Sequence, residues 1–416
     1  MTRPPEPDSV ADASGARRRY RVCVVGSGMR FVSGLSHYTY FLSRSLAEEH
    51  HVSVILERNL VPRFLYPGKS RVGTEISSLA TAEFAPTFDG LDWYGIPSLW
   101  QATRFLRRQR PEVLVLEWWS AACLPGYLAL SRCAKKLDIP MVLELHEDLH
   151  PAEAKVPVLG PAGAWGLRRL ITSASLFVVH SQWSRDRFSD KYGIKPDRIS
   201  VIPLGPFGLV PPHDVPTRRR NDADPITILF FGTIRPYKGL EDLVDAFDLL
   251  CESEEGRWQL LVVGEPWEHW TLPLDKISRS VHRDAIGLVD RYVRDDELAS
   301  FFGRADLVAL PYVESAASGP LHLTMATGLP VVVTEVGGLV SAVADYKGGV
   351  LVPPSNPEAL ALGIKAAAEL VGHRHEDPHS WERTNASFRE MFDNLCAGSP
   401  AWTPGVPGTG QRFWRT

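Results

Sequence analysis

Two cations, Arg235 and Lys238, lie three residues apart in the segment FFGTIRPYKG, residues 230–239. The segment begins with an apolar run, so both cations are expected just beyond the carboxyl end of a strand, where open α/β sheets bind ligands. Arginine offers a planar fork of donors and lysine a compact charge, and together they suit a diphosphate. Taken alone, the same segment is equally consistent with a solvated basic loop.

A second feature that favours an anion lies in the segment PYVESAASGPLHLTMATGLPVVVTEVGG, residues 311–338. Ser318, Gly319 and Pro320 predict the start of a helix, because proline is tolerated in a first turn, where its missing N–H does no harm. The free amides of a helix N-terminus attract anions. We expect these amides to face the same cleft as the two cations, which favours a diphosphate site over a solvated loop.

Glycines near the amino terminus allow two interpretations. Gly26 and Gly28 follow the first predicted strand, and Glu57 ends the next one, as in a dinucleotide-binding fold. Phe31 stands where that fold has its third glycine, and Glu57 lies beyond the usual spacing of about 20 residues. A tight turn that needs small residues is therefore favoured over an NAD site. Gly34, before a long helix, would let the backbone approach a ligand closely.

These residues must be positioned by alternating strands and helices, which predict βαβ units and parallel sheets covered on both faces. Apolar residues at helical spacing predict helices at 38–49, 240–250, 297–303 and 321–327. Short apolar runs predict strands at 20–25, 51–56, 113–116, 141–145, 176–179, 199–202, 226–231, 259–263, 307–310 and 331–334.

The composition changes at 209–225, where four prolines interrupt the alternation and predict a linker. We therefore predict two α/β domains, over 20–208 and 226–379, each built on a doubly wound parallel sheet. Two such domains facing each other would form a cleft, which is the expected place for chemistry. Polar segments with proline or glycine predict disordered tails at 1–19 and 397–416.

The composition also excludes several classes of protein. The formal net charge is -4 over 416 residues, which argues against a nucleic-acid partner. No apolar run approaches the ~20 residues that span a bilayer, and residues 1–19 lack the apolar core of a signal peptide. The five cysteines form no CxxC pair, so neither a disulfide framework nor a zinc site is predicted, and a reducing cytoplasm is expected.

The two segments of the second domain resemble the donor-binding half of the family-four retaining glycosyltransferases, which have the GT-B fold. VVGE at 262–265 and the segments 293–311 and 352–364 fit the same family in the same order. In the first domain, SGLSHYTYFLSRSLAEEHHVSVI, HSQWSRDRF and VIPLGP also match. The resemblance spans residues 20–395. It implies two Rossmann-like domains that transfer a hexose from a UDP- or GDP-linked donor to an acceptor hydroxyl, without a cofactor or a metal.

The resemblance also implies roles for individual residues. Arg235 and Lys238 would hold the donor diphosphate and stabilise its leaving charge. His146, at the end of a predicted strand, matches the family's histidine near the transferred sugar, although a capping or core histidine would give the same pattern. Glu314 would reach the sugar. The implied donor contacts are Gly34, Gly232, Ser318, Gly319, Pro320, Leu321, His322 and, after the penultimate strand and near the base, Tyr292 and Val293.

One family feature is missing from this sequence. Family members usually carry Glu-x7-Glu, whose second acid binds the ribose, but counting on from Glu314 leads to His322. Alignment on Met325–Gly328 instead puts Ser315 and Leu323 at the two acidic positions. The second carboxylate is absent either way, and His322 and Thr324 are the two candidates to replace it. A catalytically silent nucleotide-sugar-binding protein is therefore an alternative, and an NAD-dependent oxidoreductase is a weaker one.

The acceptor side is less specific. Glu117, Trp118 and Trp119 end a strand of the first domain, and Glu147 follows His146. Aromatic faces and carboxylates suit sugar or polyol hydroxyls, but a tryptophan pair is equally good core material. The acceptor is expected to be a small molecule, a glycan or a lipid-linked hydroxyl.

Three further segments complete the prediction. The basic segment RFLRRQR, residues 104–110, would lie on an anionic membrane surface or form a solvated helix face, and the solvated face is favoured. Contact with a membrane is therefore expected to be peripheral at most. Asp222-Ala223-Asp224 resembles a metal-binding motif but falls in the linker, so no metal site is predicted. A helix over 380–396 is expected to return to the first domain.

Overall fold

The chain folds around two parallel β-sheets. The computed structural model describes residues 17–29, 34–59, 77, 79–92, 95–146, 159–210, 224–267 and 270–397. Within these residues, seven strands from the first half of the chain form one sheet, and six strands from the second half form the other. The predicted α/β class with two doubly wound sheets is therefore confirmed.

The strands of the first sheet are β1 (Arg21–Ser27), β2 (His51–Asn59), β3 (Thr87–Asp92), β4 (Val113–Trp118), β5 (Met141–Leu145), β6 (Leu176–Val179) and β7 (Ile199–Val201). Their order across the sheet is β3-β2-β1-β4-β5-β6-β7. The strand order therefore reverses between β1 and β4, which pair with each other. In such sheets a ligand binds at the carboxyl ends of the strands, next to this reversal.

The helices of the first half are α1 (Gly34–Glu49), α2 (Ile96–Gln109), α3 (Leu124–Lys136), α4 (Leu159–Ser173) and α5 (Gln182–Tyr192). Successive residues of a strand point to opposite faces, and β1 follows this rule. Its Cys23 and Val25 share a core with buried residues of α2, α3 and α4. Its Val22 and Val24 share another core with α1. The sheet is thus covered on both faces.

The second sheet contains β8 (Ile226–Phe231), β9 (Trp258–Val263), β10 (Ile286–Val289), β11 (Leu307–Leu310), β12 (Val331–Thr334) and β13 (Gly349–Val352). Their order is β10-β9-β8-β11-β12-β13, so the reversal lies between β8 and β11. The helices are α6 (Leu240–Ser253), α7 (Leu272–Arg279), α8 (Asp295–Arg304), α9 (Gly319–Thr327), α10 (Leu339–Val343) and α11 (Pro357–Ala368). Two buried clusters, one on each face, hold these elements together.

A last helix, α12 (Trp381–Leu395), packs against α1 of the first half, although it follows the second half in sequence. The side-chain amide of Asn385 donates to the carbonyl of Ser45 at 3.0 Å. Arg389 forms an ion pair with Glu49. The chain therefore crosses back to its first half after the second sheet is complete.

The ten predicted strands are all present, half of them with the predicted bounds and half with small shifts at their ends. Three strands, β3, β10 and β13, were not predicted, and each lies at an edge of its sheet. Residues 211–223, which make up most of the predicted linker, lie outside the described residues, as do 1–16 and 398–416 of the predicted tails. Within the described part of the chain, no helix combines the length and the apolar character needed to cross a membrane.

Candidate functional site

Lys238 lies in a short 3₁₀ turn that follows β8, between two glycines with left-handed backbone. Gly232 has φ 115°, and a Cβ atom there would lie 2.7 Å from the Lys238 Nζ. Gly239 has φ 62°, and a Cβ atom there would lie 2.0 Å from the Pro311 carbonyl oxygen. Both positions therefore require glycine, the first to make room for the ammonium group and the second to bring the turn against the loop after β11.

The two cations of the site have no carboxylate partner among the described residues. Lys238 is only 7% exposed, and its Nζ lies 5.2 Å from the centre of the Tyr312 ring. Burial, followed by the charge of Arg235, lowers the pKa of Lys238 to about 7. The Arg235 guanidinium lies 4.3 Å from the centre of the Trp267 ring. The protein thus holds two cations that an incoming anion would stabilise.

The N-terminus of α9 is built as predicted for a helix entrance. The Ser318 hydroxyl accepts a hydrogen bond from the Leu321 amide at 3.2 Å, and Pro320 has no N–H. The amide of Gly319 is therefore left as the first-turn donor for an anion. The prediction that Leu321 contacts the donor substrate needs correction. Its amide donates to the Ser318 hydroxyl, and its side chain is fully buried in the core.

The N-terminus of α1 faces the N-terminus of α9. A Cβ atom on Gly34 would lie 3.9 Å from the Gly319 Cα, whereas the predicted approach of Gly34 to a ligand remains a prediction. His37, in the first turn of α1, donates from Nε2 to the Asp295 carboxylate of α8 at 2.9 Å. The positive ends of two helices from different halves of the chain thus meet at one place.

A chain of hydrogen bonds positions His146 at the carboxyl edge of the first sheet. His180 Nδ1 lies 3.0 Å from the Ile202 carbonyl oxygen, so Nδ1 carries the proton and donates. His180 Nε2 then accepts from His146 Nδ1 at 3.0 Å. Burial lowers the pKa of both rings, that of His180 to about 4, so both are neutral at pH 7. His146 Nε2 is left as a lone-pair acceptor with no partner among the described residues.

Two carboxyl groups lie buried beside this histidine pair. Glu144 and Glu117 are register partners on β5 and β4, and both are fully buried. Glu144 accepts from the Tyr38 hydroxyl at 2.5 Å, and Glu117 accepts from the Thr39 hydroxyl. Burial raises the pKa of both carboxyl groups, and the charge of Glu144 raises that of Glu117 further. Each is therefore favoured in its protonated form.

The acceptor prediction needs correction at two residues. Trp118 is fully buried in the core of the first domain, so its ring is not available to stack on a sugar. Glu117 is turned away from solvent, and a Cβ atom on Gly26 would lie 2.2 Å from its Oε2. Trp119 is partly exposed and remains a prediction. Glu147 lies outside the described residues.

The loop after β11 shows which residues occupy the family's acidic positions. Glu314 is exposed, while Ser315 is buried and donates to the Ala317 carbonyl at 2.8 Å. Leu323 is buried in the core, which removes it as a ribose ligand. His322 is also buried, 4.9 Å from the His379 ring between centres, and burial lowers its pKa. The structure therefore brings no second carboxylate to this position.

Tyr292 and Val293 lie in the loop between β10 and α8. The prediction that they follow the penultimate strand is therefore wrong, because β10 is the third of the six strands along the second half. Val293 is buried in the core, whereas Tyr292 is partly exposed. Between them, Tyr292 is the one that can present its side chain to a ligand.

Glu144, His146 and His180 also form a group whose ligand atoms lie within 4.8 Å of one another. Carboxylate and imidazole groups are ligands for zinc. Here the two imidazoles bond to each other, and the carboxyl group accepts from Tyr38. Among the described residues, this is the one group of three or more His, Cys, Asp or Glu side chains whose ligand atoms are close enough to hold a metal ion.

The dinucleotide interpretation receives no support from the position of Glu57. Its carboxyl group is buried and accepts from the Cys123 thiol at 3.4 Å. The Gly28 amide donates to the Glu57 carbonyl at 2.9 Å, and a Cβ atom on Gly28 would lie 2.7 Å from that oxygen. Gly26 lies within β1, and Gly28 follows the strand and packs against the backbone of β2.

Sequence reasoning missed His180, Tyr38 and His37. His180 stands in HSQWSRDRF, a segment that carries the resemblance, but the resemblance did not predict a role for this histidine. Tyr38 and His37 lie in α1, where they look like ordinary residues of an amphipathic helix. Their partners, Glu144 and Asp295, are distant in sequence, so the only signal is the fold itself.

Each half of the chain matches the pattern of a known protein family. The pattern described as Glycosyltransferase Family 4 matches residues 32–205, and the one described as Glycosyl transferases group 1 matches residues 225–369. The D-inositol 3-phosphate glycosyltransferase of Segniliparus rotundus is 30% identical over 329 residues, which cover 72% of each chain. Its counterpart in Jonesia denitrificans is 25% identical over 64% of this chain and 68% of the relative.

Solved structures match over most of the chain. Sucrose-phosphate synthase from Thermosynechococcus elongatus superposes with a TM-score of 0.66 at 17% identity, covering 92% of this chain and 100% of that one. Anabaena HepE in complex with UDP superposes with a TM-score of 0.63 at 17% identity, covering 90% and 100%. These likenesses show the GT-B fold. Since the family patterns match both halves and a relative is 30% identical over 72% of its length, the chain belongs to the group 1, family-four glycosyltransferases.

Proposed function

We propose that this chain transfers a hexose from a nucleoside diphosphate sugar to an acceptor hydroxyl with retention of anomeric configuration. The proposal rests on one observation: Arg235 and Lys238, which have no carboxylate partner in the part of the chain that the structure describes, lie where the N-termini of α1 and α9 meet. Positive groups fixed in advance stabilise the charge that grows on a leaving diphosphate. The Anabaena protein, solved with UDP and with UDP-glucose, supports a uridine or similar nucleotide donor.

In the proposed reaction, the bond between the anomeric carbon and the diphosphate oxygen breaks, and a bond to the acceptor oxygen forms on the same face of the sugar. The acceptor's proton passes to the leaving diphosphate. The protein contributes position and charge stabilisation rather than a strong base. His146 Nε2, a neutral acceptor, would bind a hydroxyl of the transferred sugar.

A thermal-shift panel of UDP, GDP, ADP and NAD tests the donor class and identifies the base. A nucleoside diphosphate is expected to raise the unfolding temperature, and NAD is not. Lys238→Ala is expected to abolish this stabilisation and to lower turnover about 100-fold or more. Lys276→Ala, which removes another lysine of the second domain, is the matched control. Near-normal turnover in Lys238→Ala would overturn the diphosphate assignment.

Transfer assays separate an enzyme from a catalytically silent binder. The relatives' name makes D-inositol 3-phosphate the first acceptor to assay, followed by glycan and lipid-linked hydroxyls. Release of free nucleoside diphosphate, with or without an acceptor, supports an enzyme, whereas tight binding without turnover supports the silent alternative. The anomeric configuration of the product, read by NMR, decides between retention and inversion.

We further propose that the reaction needs neither a metal nor a cofactor, because Arg235, Lys238 and the helix amides can neutralise the diphosphate. Turnover is expected to persist after treatment with a chelator. Loss of turnover that zinc or magnesium restores would contradict the proposal and direct attention to Glu144, His146 and His180.

We also propose a cytoplasmic location. The five cysteines are all free thiols and all buried, which supports a reducing compartment. Fractionation of cells that express the tagged protein tests this, and recovery from an oxidising compartment would contradict it.

A further inference from the structure

Three neighbouring helices of the first domain carry cations but no acids. α2 packs against α3, and α3 packs against α4, all on the face of the first sheet opposite α1. Their sequences contain neither Asp nor Glu. They carry Arg104, Arg107, Arg108, Arg132, Lys135, Lys136, Arg168 and Arg169.

All eight of these cations are exposed, and none forms an ion pair with another described residue. An ordinary solvated surface mixes charges of both signs, because opposite charges relieve repulsion. The formal net charge of the whole chain is -4. The rest of the chain is therefore acidic, and positive charge is concentrated on this face. Two exposed acids border the face. Asp138 lies in the turn after α3, and Asp89 of β3 lines a cavity beside the start of α2.

The same face exposes large apolar side chains. Trp100 of α2 is 57% exposed, Trp165 of α4 is 56% exposed, and Ile96 at the start of α2 is 81% exposed. Arg104 lies 5.4 Å from the Trp100 ring centre, and Arg169 lies 5.5 Å from the Trp165 ring centre. Each exposed tryptophan is thus paired with a cation one turn further along its helix.

The positions of these side chains follow from the fold. In a parallel sheet the helices run opposite to the strands, so α2 and α4 begin at the carboxyl edge of the sheet, where the candidate site lies. Trp100 lies in the first half of α2, and Trp165 lies near the middle of α4. The cations of α2 and α3 lie toward the other ends. Neighbouring helices pack about 8–10 Å apart, so α3 keeps the two tryptophans roughly 20 Å apart on one surface.

We propose that the exposed face of α2, α3 and α4 binds the surface of a bilayer that contains anionic lipids. Tryptophan prefers the headgroup region of a bilayer, and basic side chains are attracted to anionic headgroups. A helix face that joins both features lies on a membrane rather than across it. A nucleic-acid duplex would use the cations but, with its bases stacked inside, would give no reason for Trp100, Trp165 and Ile96 to be exposed together.

Vesicle sedimentation with the full chain tests the proposal. The chain is expected to bind vesicles of phosphatidylcholine and phosphatidylglycerol about tenfold or more tightly than vesicles of phosphatidylcholine alone, and to be released by high salt. Arg107→Glu with Arg108→Glu is expected to lower binding about tenfold. Arg279→Glu with Arg304→Glu, two exposed arginines of the second domain, makes the same charge change and should not lower it.

The apolar contribution has its own pair of variants. Trp100→Ala with Trp165→Ala is expected to weaken vesicle binding, whereas Leu272→Ala with Val281→Ala, two exposed apolar residues of the second domain, is not. Unchanged thermal stabilisation by nucleoside diphosphate would show that each variant is folded. Equal binding to neutral vesicles, or equal loss in the control variants, would overturn the proposal. So would heparin binding that needs the arginines while neither tryptophan affects vesicle binding.

Discussion

Lys238 is the residue whose charge should make donor binding depend on pH near neutrality. Its pKa in the free protein is lowered to about 7 by burial and by Arg235, so the ammonium form is lost as the pH rises through about 7. A diphosphate binds the ammonium form, and binding therefore takes up a proton above that pH. The affinity for nucleoside diphosphate is expected to fall by up to tenfold per pH unit above about pH 7.

Isothermal titration between about pH 6 and about pH 9 measures this dependence, with Lys238→Arg as the comparison. An arginine stays charged across the range, so the affinity of this variant should vary less with pH than that of the parent chain. The same slope in both proteins would show that another group controls the binding.

His180 contributes through His146 rather than through the substrate. Its Nε2 accepts the His146 Nδ1 proton and so leaves the His146 Nε2 as an acceptor. His180→Phe removes that acceptor and is expected to lower the kcat/KM for transfer about tenfold or more while the affinity for nucleoside diphosphate stays within about twofold. His180→Gln, whose amide oxygen can accept the same proton, should recover part of the rate. Equal losses in both variants would contradict the hydrogen-bond explanation.

At the scale of single elements, the turn after β8 depends on glycine. Gly239 has φ 62°, and a Cβ atom there would lie 2.0 Å from a backbone oxygen, so Gly239→Ala meets both strain and a clash. Gly256 has φ 75° with nothing within 4 Å, so Gly256→Ala meets the strain alone. The free energy of unfolding, measured by urea, is expected to fall by about 1 kcal/mol in the control and by more in Gly239→Ala. Equal losses would show that the clash is relieved without cost.

The sequence predicts every inner strand of the two sheets and one edge strand, β7. β8 and β12, inside the second sheet, are continuous apolar runs with bounds as predicted. β3, β10 and β13 lie at edges, where a half-covered strand tolerates glycine and polar residues, as in TFDGLD and IGLV. These strands lack the signal on which the prediction depends.

The residues of the candidate site also divide into those that the sequence predicts and those that it does not. Arg235, Lys238 and Ser318 stand in contiguous segments whose spacing carries information. His180 and Tyr38 reach His146 only because β6 lies beside β5 and α1 packs on that sheet. Such contacts follow from strand order, which a single sequence does not reveal.

At the scale of the whole molecule, buried acids and buried imidazoles make stability depend on pH in opposite senses. Burial raises the pKa of Glu57 to about 8 and raises those of Glu117 and Glu144. The contribution of Glu57 is fully present below the unfolded pKa of 4.5 and is lost as the pH rises through about 8. Burial lowers the pKa of His180 to about 4, so its contribution is present above 6.5 and is lost as the pH falls toward 4. The two losses overlap, so stability should be greatest between about pH 4.5 and about pH 6.5, where each loss is only partial.

Glu57 allows the alkaline side to be tested with a buried carboxyl group that is not hydrogen-bonded to Tyr38, His146 or His180. Glu57→Gln keeps an oxygen that can accept from Cys123 and removes the buried group that must ionise. The unfolding temperature of the parent chain is expected to fall between about pH 6 and about pH 9, and that of Glu57→Gln should fall less. Glu255→Gln, at an exposed position, should follow the parent curve. If Glu57→Gln also follows the parent curve, the buried carboxyl group does not set the alkaline limit, and the loss must come from Glu117 and Glu144.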